Sequence, residues 1–315
     1  MNDMEIIRII LFLLLGGGLL YLGGNWLVHG SSSFAIRRNV PKLVVGLTIV
    51  AFGTSAPELF ISAMAAIKGS ESIALGNIIG SNIANIGLIL GISALVSPPR
   101  VQTSSIRVQI PFAIAITVLF ILLTLNDTIG RYDAILLLAC FVAFSLYCKN
   151  SYQEPDLISD SSALLSSRLR EILYIILGLA ALELGSELFI RGARGFADFW
   201  GVSEFMIGIS LVALGTSLPE LATSIVAAAR RESEIVVGNI VGSCIFNILL
   251  VMGIVGLIKP IHKPGISIWM DMAFMLGLTI LILPMLYTGR RLTRLEGSFL
   301  LAIYLAYIIY IALRG

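Results

Sequence analysis

GLTIVAFGTSAPELFIS, from Gly46 to Ser62, sets a proline and a glutamate in the middle of an apolar run long enough to cross a membrane. GISLVALGTSLPELATS, from Gly208 to Ser224, is a near copy displaced by 162 residues, so that Glu220 answers Glu58. The same offset carries Gly76-Asn77-Ile78-Ile79-Gly80-Ser81 onto Gly238-Asn239-Ile240-Val241-Gly242-Ser243, Asn85 onto Asn247 and Pro98 onto Pro260. A carboxylate at bilayer depth is costly and marks a functional site by default. Two of them, in duplicated settings broken by proline, describe a transporter whose ion site lies between its repeats.

The rest of the chain agrees with a membrane protein. Of its 315 residues 57% are hydrophobic and 13% charged, and mean hydropathy is +0.97, which excludes an ordinary soluble domain. Apolar runs predict ten transmembrane helices, near 6–28, 43–67, 73–97, 106–125, 132–148, 171–190, 205–229, 235–258, 267–287 and 295–313. The net charge of +2 gives no footprint for nucleic acid. The acidic start, Met1-Asn2-Asp3-Met4-Glu5, lacks a cleavage pattern, so the first span is expected to be retained. Cys140, Cys148 and Cys244 fall in apolar runs with no metal or disulfide spacing and read as small apolar filler.

The offset also aligns Gly16, Gly23 and Gly30 with Gly178, Gly185 and Gly192, so the duplication starts in the first span and its equivalent, the sixth. Beyond Pro98 and Pro260 only hydropathy still matches. Five spans per half is an odd number, so the halves must enter the membrane from opposite sides as an inverted-topology repeat. The reading divides the chain into an N-terminal five-helix half, 1–148, with its repeat at 46–98. A polar, Ser-rich linker follows at 149–170, then a C-terminal half, 171–315, with its repeat at 208–260. Thirteen of the 21 Lys and Arg residues fall on the side opposite the N-terminus. By the positive-inside rule that side is cytoplasmic, with the linker inside and both termini outside.

Pro57 and Pro219 each remove a backbone donor and crowd the carbonyl four residues back. The carbonyls freed at the end of a half-helix carry partial negative charge and can face a cation. Helical spacing puts Thr54, Glu58 and Ser62 on one face, and Thr216, Glu220 and Ser224 on another. Asn77, Ser81 and Asn85 recur at every fourth residue, as do Asn239, Ser243 and Asn247. The alternative for these Asn and Ser residues is hydrogen-bonded glue between helices. The donor set is all oxygen, without thiolate or imidazole, which argues against zinc, copper or iron. Two carboxylates among neutral oxygens suit Ca²⁺, and Na⁺, of similar radius, can compete.

Glu183 and Glu187 align with Tyr21 and Asn25 and so break the repeat. Glu187 lies four residues before Arg191, a spacing for an ion pair near a helix end.

Both copies resemble the alpha repeats of the cation/calcium exchanger superfamily, in its prokaryotic-type sodium/calcium exchanger branch. The resemblance rests on Gly53-Thr54-Ser55-Ala56-Pro57-Glu58 with Gly76-Asn77 to Asn85, and on Gly215-Thr216-Ser217-Leu218-Pro219-Glu220 with Gly238-Asn239 to Asn247. It implies an all-α fold of two inverted five-helix halves, with the first and sixth spans as a sliding gate. It also implies a central cation cluster lined by Glu58, Glu220, Thr54, Thr216, Ser55, Ser217, Ser81, Ser243, Asn85 and Asn247, with the carbonyls of Ala51 and Ala213. Asn247 stands where potassium-dependent relatives, and some prokaryotic exchangers, carry Asp, and Gly-Thr-Ser where proton-coupled relatives carry Gly-Asn-Ala. Both departures point to sodium coupling without potassium.

The function expected is therefore a multi-pass antiporter of a prokaryotic cell membrane. It exchanges Na⁺ for Ca²⁺ by alternating access, with the two ions as cargo, no resident cofactor and a monomer sufficing. A Ca²⁺/H⁺ antiporter is the alternative, because desolvated glutamates can take protons in competition with metal. An intramembrane hydrolase fares worse, since no Lys or His lies within a core span to activate Ser55 or Ser217. No phosphate-cradling loop points to an ATP-driven pump.

Overall fold

The computed structural model describes residues 3–103, 105–126, 128–151, 165–199, 215–262, 267–287 and 289–314. They form helices α1 (Asp3–Arg38), α2 (Lys42–Thr54), α3 (Ala56–Ile67), α4 (Glu71–Val96), α5 (Ser105–Asn126), α6 (Arg131–Ser151) and α7 (Arg168–Phe199). The second half adds α8 (Leu218–Ala229), α9 (Ser233–Ile258), α10 (Ser267–Tyr287) and α11 (Arg294–Arg314). Two short strands, β1 (Thr128–Ile129) and β2 (Ile261–His262), pair antiparallel. Among the described residues eight helices are long and apolar enough to cross a membrane; α2 and α3, bent by 44°, make a ninth span as one broken unit. The fold is all-helical and multi-pass. The 12-residue α8 begins just after the stretch 200–214, which lies outside the described residues.

α4 and α9 form the centre. Their apolar windows are 78% and 83% buried, against 17% for α1 and 28% for α7, which lie at the lipid-facing flank. α1 and α7 are longer than the expected 6–28 and 171–190, and each reaches past its apolar run into charged residues. α7 begins at Arg168 and α6 runs to Ser151, so both intrude on the expected 149–170 linker. α1 and α7 cross antiparallel through glycine. A Cβ on Gly16 would stand 2.9 Å from the Gly185 carbonyl oxygen, and one on Gly23 2.8 Å from that of Gly178. Such contacts are shorter than carbon permits, so only glycine lets the backbones meet here.

Contacts recur at the sequence offset well beyond Pro98 and Pro260, where the sequence showed hydropathy alone. β1 pairs Thr128 with His262 and Ile129 with Ile261. The equivalent loops exchange Val101 N to Arg290 O at 2.8 Å and Leu292 N to Pro99 O at 3.1 Å. Phe112 stacks on Phe144 with centroids 4.7 Å apart, and Phe274, at the offset from Phe112, stacks at 4.4 Å on Tyr307, one residue beyond the offset from Phe144. Packing thus kept partner positions that side-chain identity had lost. The ends of α3 and α8 match as well: Ser70 N bonds Ala65 O at 2.8 Å, and Glu232 N bonds Ala227 O at 2.8 Å. The left-handed residue each ending needs is Gly69 (φ 78°) in one and Arg231 (φ 60°) in the other.

Candidate functional site

The break in the first GTSAPE segment falls at Ser55, whose φ of −86° and ψ of 6° end α2 and start α3 with Pro57 in its first turn. Ser217 (φ −89°, ψ 5°) and Pro219 do the same at the start of α8. Proline is accepted at a helix start because its missing N–H had no partner to lose. The break corrects one expectation: Thr54 and Glu58 belong to different helices and do not share one continuous face. Each glutamate instead sits in the first turn of a helix, where the dipole favours negative charge.

Glu58 and Glu220 are 1% and 0% exposed, and neither has an ion-pair partner among the described residues. Their neighbours are hydroxyls. Ser55 Oγ donates to Glu220 Oε1 at 2.9 Å and Ser217 Oγ to Glu58 Oε1 at 3.4 Å. Ser81 Oγ donates to Glu58 Oε1 at 3.5 Å and Ser243 Oγ to Glu220 Oε1 at 3.4 Å. Each carboxylate therefore takes one hydroxyl from its own half and one from the other. The second oxygen of each, Oε2, is buried and has no hydrogen-bond partner among the described residues.

Asn77 and Asn239 brace this arrangement. Asn77 Nδ2 donates to Ser62 Oγ at 2.9 Å and to the Glu58 carbonyl at 3.3 Å, while its Oδ1 accepts from Thr216 at 3.2 Å. Asn239 Nδ2 donates to Ser224 Oγ at 3.0 Å and the Glu220 carbonyl at 3.4 Å, while its Oδ1 accepts from Thr54 at 3.1 Å. The four-residue stripe picked out both asparagines as polar, but their cross-half partners are a tertiary fact with no local signal.

α4 and α9 change at Asn85 and Asn247 into π-helical turns, Asn85–Leu90 and Asn247–Val251. Such turns loosen the backbone ladder and recur at functional sites. Asn85 and Asn247 are 1% and 0% exposed. Among the described residues Asn85 Oδ1 and both amide atoms of Asn247 lack hydrogen-bond partners. Buried polar atoms without partners are rare and demand an explanation. The Ala51 carbonyl accepts from Ser55 N at 3.0 Å and Thr54 Oγ1 at 3.4 Å, which leaves it less free than a broken-helix carbonyl could be. Ala213 lies outside the described residues.

The structure so gathers Thr54, Ser55, Glu58, Ser81, Thr216, Ser217, Glu220 and Ser243 into one buried cluster, with Asn85 and Asn247 at the π-turns of the helices carrying Ser81 and Ser243. Among the described residues no group of three or more His, Cys, Asp or Glu is assembled, so the donors are two carboxylates among neutral oxygens. Cys244 is also nearby, its Sγ 3.9 Å from the Asn82 carbonyl, but it takes the place of Asn82 in the second repeat and packs as a buried thiol. Glu187 and Arg191 form the ion pair their spacing suggested.

Comparison with known proteins agrees with this geometry. A family described as "Sodium/calcium exchanger protein" matches residues 8–149 and 170–313. CaxA of Alkalimonas amylolytica, named only as an antiporter, is 36% identical over 307 residues, covering 94% of this chain and 96% of that one. The sodium/calcium exchanger MaX1 of Methanosarcina acetivorans is 30% identical over 339 residues, covering 95% and 97%. A solved structure of the sodium-calcium exchanger NCX_Mj superposes with a TM-score of 0.85 at 32% identity, covering 97% of this chain and 99% of that one.

Proposed function

The chain belongs to the sodium/calcium exchanger family, and on that premise we propose that it is an antiporter carrying Na⁺ one way and Ca²⁺ the other by alternating access. The single observation behind this reading is the pair of fully buried glutamates, each with an unpartnered Oε2 and hydroxyls from both halves. A dehydrated carboxylate without a counter-ion is expensive, and a cation seated between the two relieves both. Glu58 and Glu220 would supply charge. Thr54, Thr216, Ser55, Ser217, Ser81, Ser243, Asn85, Asn247 and the carbonyls of Ala51 and Ala213 would replace hydration oxygens. Calcium takes six to eight such ligands in flexible geometry.

The frame proposed is ten spans in two inverted halves, 1–148 and 171–315, joined by a cytoplasmic linker, both termini outside, in a prokaryotic cell membrane. Backbone contacts that recur at the offset in both halves support it. With Asn85 and Asn247 neutral, the site holds two formal negative charges. One Ca²⁺ balances them, as do two Na⁺. A third Na⁺, which the family resemblance implies, carries net charge across the membrane, and each such charge is worth about 2.3 kcal/mol per 100 mV. Exchange is then electrogenic and independent of K⁺.

Proteoliposomes separate the readings. An outward Na⁺ gradient should drive Ca²⁺ uptake, sharpened by an imposed potential and indifferent to K⁺. Uptake driven by a pH gradient and indifferent to Na⁺ would establish the Ca²⁺/H⁺ alternative, which the name of CaxA leaves open.

A further inference from the structure

A groove of about 310 Å³ opens on the outer face of α3 and the start of α4, between Phe60, Ile61, Met64, Lys68, Ser70 and Ile73. Adding 162 to Phe60, Met64 and Lys68 gives Ala222, Val226 and Arg230 on α8. That equivalent face is closed, because α1 lies across it. A Cβ on Gly24 would stand 3.1 Å from the Ala222 carbonyl oxygen and 3.2 Å from Val226 Cγ2. Arg230 fastens the contact by donating a hydrogen bond to Asn25 Oδ1.

The two long helices obey the same offset, so Gly24 and Asn25 of α1 correspond to Ser186 and Glu187 of α7. We infer that the groove on α3 is a docking face for α7, and that a Lys68–Glu187 ion pair replaces the Arg230–Asn25 hydrogen bond when α1 leaves α8. The present structure leaves the parts of that second contact waiting. Lys68 is exposed and in no ion pair among the described residues. Among the described residues Glu187 pairs only with Arg191 one turn along its own helix, more than half exposed. Ser186 Oγ is buried and without a hydrogen-bond partner among the described residues.

The α1–α7 crossing survives the exchange. Shifting its contacts by the offset turns the Gly16–Gly185 pair into Gly178–Gly23, which is already present. The two helices can therefore change places against the core as one unit. The docked faces differ in kind. Ala222 and Val226 admit the glycine backbone of α1 closely, whereas Phe60 and Met64 are bulkier and hold α7 further off. An ion pair offsets that looser packing, which gives Glu187 a reason to break the repeat where its counterpart is Asn25.

The inference rests on the alternating-access reading, and its test separates the two. Two double-cysteine variants, Asn25→Cys with Arg230→Cys and Lys68→Cys with Glu187→Cys, are oxidised in proteoliposomes. Each joins opposite halves, so cleavage at a protease site placed between Ser151 and Leu165 reads the crosslink as a retained full-length band. Both pairs should crosslink, each should stop exchange until reduced, and ion conditions that raise one yield several-fold should lower the other. Lys68→Glu should slow exchange, and Glu187→Lys in the same chain should restore it. A strong Asn25–Arg230 crosslink with no Lys68–Glu187 crosslink under any ion condition overturns the inference, as it would if lipid alone fills the groove. Reciprocal crosslinks in protein that carries no Na⁺-driven Ca²⁺ flux would support the docking and overturn the exchange reading.

Discussion

The buried cluster around Glu58 and Glu220 and the flank formed by α1 and α7 come from the same duplication and have kept it differently. In the cluster the two repeats make the same bonds, Asn77 to Ser62 at 2.9 Å and Asn239 to Ser224 at 3.0 Å, and the pair that differs most in length is Ser55 to Glu220 at 2.9 Å against Ser217 to Glu58 at 3.4 Å. At the flank one repeat's outer face is covered by α1 and the other's is an open groove. On the proposed exchange reading, a cation site shared by two opposed halves has to look alike from both, whereas a structure in one state must close one half and open the other. Symmetry belongs to the site, and asymmetry to the state.

The harshest way to break that comparison is to remove one charge. Glu58→Gln and Glu220→Gln preserve shape and leave a single carboxylate in a dehydrated cavity, where a divalent ion depends most on charge. Ca²⁺ flux should fall to near background in both variants equally. Near-normal uptake by correctly inserted protein carrying either substitution would show that the two halves are not equivalent and would sink the shared-site model.

Asn77→Ala and Asn239→Ala probe the bracing rather than the charge. Each deletes bonds to a serine, a backbone carbonyl and a threonine of the other half, and strands buried polar groups at about 1–3 kcal/mol apiece. The apparent affinity for Ca²⁺ should weaken by on the order of tenfold or more, similarly for both. A loss in only one variant would make the matching bond lengths coincidental.

Asn247→Asp and Asn85→Asp each add a third carboxylate, at equivalent π-turns. The charge carried per cycle should change, seen as an altered voltage dependence of exchange, with cation selectivity shifted and the protein still transporting. Equal effects from the two variants extend the symmetry of the cluster to its π-turns. A current–voltage relation unchanged by either would remove both asparagines from the ion path.

The sequence made the candidate site residues legible because a dehydrated carboxylate, a breaking proline and a four-residue polar stripe are local signals, and duplication printed them twice. Three features were not local. Ser55 bonds Glu220 rather than Glu58, and Thr54 bonds Asn239, because the broken helices cross between halves. α1 and α7 outrun their apolar cores, since a helix end is set by caps such as Asn39 at φ 51° before Pro41 and not by hydropathy. The Phe112–Phe144 and Phe274–Tyr307 stacks escape a fixed offset because Tyr307 stands one residue beyond the position that answers Phe144. The stretch from Gly208 to Leu214, with Ala213, lies outside the described residues.

The mildest substitution tests whether the repeats agree in their turns as they do in their site. Gly69 and Arg231 hold the same left-handed position after α3 and α8. For a residue with a side chain that conformation costs roughly 1–2 kcal/mol, and for glycine little. A Cβ on Gly69 would meet only Lys259 Nζ at 3.5 Å, an ordinary contact, so Gly69→Ala isolates the backbone term. It should destabilise the protein by about 1 kcal/mol. Arg231→Gly should stabilise by less than that, because glycine's extra freedom in the unfolded chain works against the relief of strain. Thermal unfolding in detergent reads both, with Ca²⁺ exchange expected to stay near that of the parent chain. A gain in Gly69→Ala, or a loss in Arg231→Gly, would mean that the second turn holds Arg231 for its side chain, and that the repeats part company at the membrane surface as they do along the flank.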